Sequence, residues 1–284
     1  MSDHESRILV TGASGNVGRP LVDELRAAGE SVVAAVGEPA AEGEGHFDFT
    51  DDATWGVALD GVDRVFLLRP PPLSDVKRFI RPFIAELERR AVRHVVFLSL
   101  MGVNRVMPHW QVEQDLQAAG ERSGLGWTML RPAFFMQNLT GPYRNDICDD
   151  DTINQPAGSG AFSFVDAVDL AAVAALVLQQ PSDHVGSTYT LTGAEALRYD
   201  EVASMLSAAL GRPITYEPDG LLAARKAMIA GGADSTYANV QLVINATARL
   251  GMAAKVTDDL PRLLGRPPRS LWTFVTTHRA VWDG

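Results

Sequence analysis

The chain has a single cysteine among its 284 residues, so no disulfide can form within it and a disulfide-stapled scaffold is excluded. That cysteine, Cys148, has no basic cluster around it in sequence to activate a thiolate, and it reads as a packed thiol in a reducing cytoplasm. Basic residues are in deficit: 25 Lys and Arg against 35 Asp and Glu leave a net charge of −10. Binding to a phosphate backbone needs a concentrated basic face, so a nucleic-acid partner is not expected. Long apolar runs are missing too. The longest, Leu170 to Leu178, falls far short of the roughly 20 residues that span a bilayer, and the first residues lack the basic-then-apolar order of a signal peptide. No internal repeat stands out. These absences lead to the expectation of a soluble, cytoplasmic protein, monomeric or homodimeric, with no membrane partner and no metal ligands.

What is present begins at residues 7–18, Arg-Ile-Leu-Val-Thr-Gly-Ala-Ser-Gly-Asn-Val-Gly, where a short apolar strand runs into three spaced glycines and then an amphipathic helix. That order is the signature of a dinucleotide site. Without a Cβ, Gly12 takes the tight turn, Gly15 lets backbone approach a pyrophosphate, and Gly18 lets the helix lie close on the sheet. Free N–H groups at the helix start then face the phosphates, where the helix dipole favours negative charge.

With 46% hydrophobic residues, the chain can bury one large α/β core, with or without a small appendage. Strand-like runs recur at Ile8 to Val10, Val32 to Val36, His46 to Phe49, Arg64 to Leu68, His94 to Leu98 and Trp127 to Leu130, with helical segments between them. The clearest helix covers Val76 to Val92 and contains Pro82. Such alternation predicts an α/β fold: a doubly wound parallel sheet, Rossmann-like, with ligand loops at the carboxyl ends of its strands. Phe162 to Val165, a helix from about Val168 to Gln179 and a strand at Tyr189 to Leu191 continue the pattern, whereas Arg198 to Leu210, Leu221 to Ile229 and Ala238 to Leu250 look purely helical. The dinucleotide-binding domain is therefore expected over residues 1–140, completed by about 160–192. A smaller, mixed, substrate-binding C-terminal lobe is expected over 193–284 together with 141–158. Trp272, Phe274 and Trp282 near the end read as packing residues.

Several motifs in order carry a likeness: Thr11 to Gly18, Phe66-Leu67-Leu68-Arg69-Pro70-Pro71, Val95 to Leu100, His109-Trp110-Gln111-Val112-Glu113, Leu130-Arg131-Pro132 with Phe134 to Asn138, Phe164-Val165-Asp166 with Asp169-Leu170-Ala171, and Tyr189 to Gly193. Through them the chain resembles, over essentially its whole length, the NmrA-like branch of the atypical short-chain dehydrogenase/reductases. That family includes quinone and ergot-alkaloid iminium reductases and also NAD(P)-sensing regulators without turnover. The resemblance implies that Gly12, Ser14, Gly15, Asn16 and Val17 hold the pyrophosphate of NAD(P), and that Asp48 and Phe49 flank the adenine. It further implies that Leu68, Arg69 and Pro70 line the middle of the dinucleotide, and that Pro132, Ala133 and Phe134 approach the nicotinamide. An Asp48 carboxylate accepts readily from an adenine amine, and the Arg69 guanidinium is a planar fork suited to phosphate. The plain alternatives are a solvated strand-end or cap residue for Asp48 and a surface arginine beside a rigid proline turn for Arg69.

The chain departs from relatives that prefer NADP just past the second strand, where they carry a basic residue and it has Gly37 and Glu38. With Glu42, Glu44 and Asp48 nearby, a 2′-phosphate has no evident partner, so NAD is a possible cofactor unless Arg19 or another base reaches in. Ordinary short-chain dehydrogenases use TyrxxxLys; here the spacing holds His109xxxGlu113. One helical turn apart, Glu113 would hold the imidazole and raise its pKa, making His109 a proton donor near neutral pH, with Ser99 steadying a substrate oxygen. The plain alternative is a helix-start histidine beside a surface glutamate, and a serine that satisfies backbone.

Trp110, Phe135, Met136, Asn138 and Tyr143, with Phe134, read as an apolar, aromatic-rich substrate pocket. The leading expectation is an NAD(P)H-dependent oxidoreductase of a hydrophobic electrophile, a quinone, enone or iminium, in specialised metabolism. A non-catalytic NAD(P) sensor and a redox-neutral isomerase or cyclase on the same scaffold stand beside it.

Overall fold

Apolar runs become buried strands in the computed structural model, which describes residues 6–39 and 41–283. Two compact units emerge, one running to Pro132 and resuming over Val168–Leu191, the other made of Ala133–Ala167 and the residues from Thr192 onward. The first boundary lies at Pro132 rather than at residue 140, and the chain re-enters the first unit at Val168 rather than near 160. The reason is packing: Met136, Leu139, Phe162 and Phe164 all bury their side chains in the core of the second unit.

The first unit is built on a seven-stranded sheet of β1 (Arg7–Val10), β2 (Ser31–Val36), β3 (Glu44–His46), β4 (Val62–Leu68), β5 (His94–Leu98), β6 (Gly126–Pro132) and β7 (Ser187–Leu191), in the order β3-β2-β1-β4-β5-β6-β7. Every pairing is parallel. Parallel strands need crossovers, which α1 (Gly18–Ala27), α3 (Val76–Arg89), α4 (Pro108–Ser123) and α5 (Ala167–Gln179) provide, with a short α2 (Trp55–Ala58) before β4. The direction of winding reverses between β1 and β4, and that switch point is where doubly wound sheets bind ligands.

Asp75 caps α3 by accepting from the Arg78 N–H at 3.1 Å, and the helix buries Val76, Ile80, Phe83, Ile84 and Leu87. It stops at Arg89 rather than Val92, two residues before Ala91 turns to a positive φ of 54°. The third strand is also shorter than expected and earlier, Glu44–His46 rather than His46 to Phe49. Phe47 and Phe49 leave the ladder to pack edge-on against Phe83, at 5.1 and 5.3 Å between ring centroids.

In the second unit, two small strand pairs, Ala161–Phe162 with Leu197–Arg198 and Thr152–Ile153 with Thr215–Tyr216, adjoin the helices Tyr199–Leu210, Leu221–Ala230, Ser235–Arg249, Asp259–Leu264 and Leu271–Thr277. Its core is aromatic, with Phe162, Phe164, Tyr199, Phe274 and Trp282 almost wholly buried. Trp282 also donates from Nε1 to the Leu139 carbonyl at 3.1 Å. Trp272, in contrast, stands 46% exposed. Cys148 is half-buried. Among the described residues no helix is long and apolar enough to cross a membrane, and no group of three or more His, Cys, Asp or Glu is arranged to hold a metal ion.

Candidate functional site

The glycine loop sits at the switch point. Thr11 ties its start to the neighbouring strand: its N–H and hydroxyl both donate to the Phe66 carbonyl at 3.0 Å, and its hydroxyl accepts from the Leu68 N–H at 2.8 Å. Gly12 then turns with φ +67°, a conformation that side-chain-bearing residues rarely adopt. Its carbonyl accepts from the Gly15 N–H at 3.0 Å. A Cβ on Gly18 would lie 2.1 Å from that same carbonyl oxygen, so what requires glycine at Gly18 is the turn itself, where the expectation was contact with the sheet.

Ser14, Gly15 and Asn16 face outward. The N–H groups of Asn16 and Val17 have no protein acceptor among the described residues, and Val17, the N-cap of α1, supplies no side-chain cap. The first turn of α1 also carries no acidic residue. A helix start so stripped of caps, beside an open Gly15, fits a diphosphate held by backbone N–H groups.

At the end of β2, Gly37 and Glu38 are exposed, and a Cβ on Gly37 would meet nothing within 4 Å. Asp48 is exposed on the loop beyond β3, where its Oδ1 accepts from both the N–H and the hydroxyl of Thr50, at 2.7 and 2.8 Å. Its Oδ2 has no hydrogen-bond partner among the described residues. Trp55 braces this loop by donating from Nε1 to the Asp48 carbonyl at 2.8 Å, a support that sequence reading missed because it lies seven residues away in a separate turn. The Phe49 ring is buried in the core, so only its backbone can flank an adenine.

Arg69 does not present a free fork. Its Nη1 donates to the carbonyls of Pro70, Pro71 and Leu73 at 2.8, 3.2 and 3.0 Å, and its Nε is buried with no partner among the described residues. Burial lowers its pKa to about 10, which still leaves it charged at neutral pH. The proline-rich loop has no N–H groups at Pro70, Pro71 and Pro72 to pair with one another, and the guanidinium pins it instead. Leu68 and Pro70 are partly exposed beside it, with Leu68 against Gly12.

The expected His109–Glu113 pair does not form. Glu113 is 1% exposed and turns toward β6, where Oε1 accepts from Arg131 Nε at 2.9 Å and Oε2 from Nη2 at 2.6 Å. Ser99, at the end of β5, donates to Oε1 at 2.6 Å, so its hydroxyl hydrogen is committed to Glu113. A bidentate guanidinium offers a buried carboxylate more than a weakly basic imidazole can, and this decides the partner. His109 itself lies at the start of α4 with its ring 6.2 Å from that of Phe97. Burial, then the charge of Arg69, lowers its pKa to about 3. The imidazole is therefore neutral at physiological pH, which corrects the expectation of a proton donor with a raised pKa. Arg131 is the residue that sequence reading missed. An arginine in a mostly apolar, largely buried strand calls for an anionic partner, and that was the available signal.

Trp110 stands partly exposed on α4 in the first unit, and Pro132 closes β6. Ala133, Phe134, Phe135, Met136, Asn138 and Tyr143 all belong to the second. Met136 is 2% exposed and is a core residue there, not a pocket wall. Tyr143 is likewise largely buried, and burial pushes its phenol pKa up. Phe134, half-buried, packs at 4.7 Å from Phe162, 5.7 Å from Phe164 and 6.4 Å from Tyr143, while Phe135 and Asn138 remain partly open. The second unit thus presents an aromatic wall around Phe134, and its members Phe162 and Phe164 were read only as a strand.

The profile of the NmrA-like family matches residues 4–222. The chain is 33% identical to an NAD(P)H azoreductase of Xenophilus azovorans, over 97% of its own length and 99% of the relative's. It is 30% identical to an agroclavine dehydrogenase of Claviceps fusiformis, covering 97% of this chain and 98% of that one. Among solved structures, an Escherichia coli NADPH-dependent quinone oxidoreductase, QOR2, complexed with NADPH, superposes with a TM-score of 0.83 at 23% identity, over 96% of this chain and 99% of the other.

Proposed function

The chain belongs to the NmrA-like family, and from that premise we propose that it is an NAD(P)H-dependent oxidoreductase that reduces a hydrophobic, electrophilic small molecule of the quinone, enone or iminium type. The observation that carries this is the cradle at the switch point, where Gly18 tolerates no Cβ and the N–H groups of Asn16 and Val17 are left without protein acceptors. Relatives named as an azoreductase and an agroclavine dehydrogenase, each matching nearly the whole chain, support the same reading. The nicotinamide, when bound, supplies the hydride.

Gly12, Ser14, Gly15, Asn16 and Val17 hold the diphosphate through backbone. Asp48 and the Phe49 backbone receive the adenine, and Leu68, Pro70 and the loop pinned by Arg69 line the middle of the dinucleotide. Pro132, at the carboxyl end of β6, borders the nicotinamide. His109 stays neutral and so orients a substrate oxygen by hydrogen bonding rather than protonating it as an imidazolium. The Ser99–Glu113–Arg131 network fixes the carboxyl ends of β5 and β6 beneath these groups. Exposed Glu38, with no base at Gly37, favours NADH over NADPH. The same reading puts the protein in the cytoplasm as a monomer or homodimer, where its one cysteine stays reduced.

Calorimetric titration with the oxidised and reduced forms of both nicotinamide nucleotides, followed by steady-state NADH and NADPH oxidation against quinones, enones and iminium salts, tests the proposal. Micromolar cofactor binding with turnover of at least one acceptor class is expected. Cofactor binding without turnover of any acceptor overturns it.

A further inference from the structure

Three adjacent strands of the first unit end in a row of polar side chains on one face of the sheet. Leu67, Phe97 and Met129 stand in register across β4, β5 and β6 and bury together with Val112 and Leu116 of α4. Two residues further along each chain, and so on the same face, come Arg69, Ser99 and Arg131. The Ser99 N–H donates to the Leu130 carbonyl at 2.8 Å, so β5 and β6 are still paired at this row. Adjacent strands lie about 5 Å apart, which puts the backbones of Arg69 and Arg131 about 10 Å from each other with Ser99 between them.

Helix α4 packs over the row. His109, on its first turn, sets its ring 6.2 Å from that of Phe97 and lies near enough to Arg69 for the two to interact electrostatically. Glu113, one turn on, reaches across to Ser99 and Arg131.

The two guanidinium groups keep donors in reserve. Arg131 commits Nε and Nη2 to Glu113, and its Nη1 has no hydrogen-bond partner among the described residues. Arg69 commits Nη1 to three carbonyls, and neither its Nη2 nor its Nε has a partner among the described residues. Of these uncommitted atoms only Arg69 Nε is buried, and the Arg131 side chain is 33% exposed. A ligand atom can therefore reach Arg131 Nη1 without entering the core. The charges do not cancel either. Glu113 balances Arg131, whereas Arg69, charged at neutral pH, is held by carbonyls alone.

We propose that Arg131 Nη1 is the donor that holds the oxygen of a neutral carbonyl acceptor, an enone or quinone, and the oxyanion formed from it, in a field made positive by Arg69. Hydride addition to the conjugated carbon moves an electron pair onto that oxygen and leaves the nicotinamide oxidised; the oxyanion then takes a proton from water. A guanidinium hydrogen bond strengthens as the oxygen becomes negative, which favours the transition state over the bound acceptor. An iminium brings a positive charge toward Arg69 and offers Arg131 no acceptor, so the site discriminates against it. This choice of substrate class rests on the reductase reading above; the oxyanion site itself does not.

Calorimetry on the full-length protein without nucleotide tests it, with three bicyclic aromatic probes of similar size: hydroxynaphthoquinone, an anion at neutral pH, neutral naphthoquinone, and the N-methylquinolinium cation. The anion binds at least about tenfold more tightly than naphthoquinone, and the cation most weakly. The double variant Arg131→Met with Glu113→Leu removes one charge of each sign, so the net charge stays and the donor goes. In it the anion loses about tenfold in affinity while the cation changes little, where a purely structural role for Arg131 would weaken all three alike. Equal affinities in the wild type, tighter binding of the cation, no binding of the anion, or an undiminished anion preference in the folded double variant overturns the proposal. The wild-type ranking needs no variant. Ranked binding without turnover leaves the oxyanion site standing and sinks the reductase reading, and turnover with unranked binding sinks the site alone.

Discussion

Arg131 grips Glu113 through two parallel hydrogen bonds, Nε to Oε1 at 2.9 Å and Nη2 to Oε2 at 2.6 Å, joining the end of β6 to the buried face of α4. The Glu113 side chain is 1% exposed and that of Arg131 33%. Removing one partner strands the other charge. Arg131→Met is therefore expected to lose about 3 kcal/mol in urea unfolding, the lower end of the range for a broken buried pair because the arginine is partly solvated. The double variant Arg131→Met with Glu113→Leu recovers much of this, and Ser99→Ala costs about 1 kcal/mol. Unaltered stability of Arg131→Met would show that the pair does not form in solution.

A neutral His109 has a pH signature. Its pKa is lowered from 6.5 to about 3 in the folded protein, first by burial and then by Arg69. Below pH 6.5 the unfolded chain gains a proton that the folded chain refuses, so stability falls as pH drops toward 3 and levels off below it. The slope from one such group approaches, at most, about 1.4 kcal/mol per pH unit. His94, lowered to about 4 by burial, then by His184 and Arg93, adds to the same acid limb. His109→Gln should make the stability–pH curve shallower between these limits. It should leave no inflection missing from the kcat profile between pH 5.5 and 8, roughly the range in which an unperturbed imidazole titrates. A wild-type inflection near pH 6.5 that the variant abolishes would restore His109 as a titrating acid.

Backbone proximity at the loop makes a sharper test. The Gly18→Ala methyl would sit 2.1 Å from the Gly12 carbonyl oxygen, and neither atom belongs to a flexible side chain. Relief requires moving the start of α1, which is expected to cost about 1–3 kcal/mol of stability. It should also weaken NADH or NADPH binding about tenfold or more, as the N–H groups lose alignment. Gly37→Ala is the control. With nothing within 4 Å of the added methyl, melting temperature and calorimetric affinity should both stay close to wild type.

The parallel sheet and the diphosphate cradle are legible in sequence because their signals are local: apolar runs, glycine spacing and a helix that follows at once. Partner choice is not local. His109 and Glu113 lie one turn apart on α4, yet Glu113 is claimed by Arg131, eighteen residues on in another element. Arg69 reads as a phosphate fork, but three carbonyls of its own proline-rich loop hold its Nη1. Met136 looks like a pocket lining because its neighbours do, whereas the turn Met136–Asn138 rotates it into the second unit's core. Asn245 passes unnoticed for a related reason: a polar residue on an amphipathic helix is assumed to face water, and only the fold reveals that this one is buried.

Cofactor choice turns on the end of β2. Glu38 is exposed beside Gly37, and Glu42 on the following loop and Asp48 on the loop beyond β3 are exposed acids too. A 2′-phosphate arriving here meets like charge, partly screened by salt, so the wild type is expected to prefer NADH by a modest factor that shrinks as ionic strength rises. Glu38→Arg replaces repulsion with a fork that pairs phosphate oxygens. The open space at Gly37 leaves room for it without disturbing the sheet. The ratio of kcat/KM for NADPH over NADH should therefore rise about tenfold or more in the variant, mostly through KM, a gain of the size of one or two charge-assisted hydrogen bonds. Wild-type preference for NADPH, unchanged by Glu38→Arg, would mean that the 2′-phosphate is bound by a base from elsewhere. Arg19, exposed on the first turn of α1, is the residue to test next.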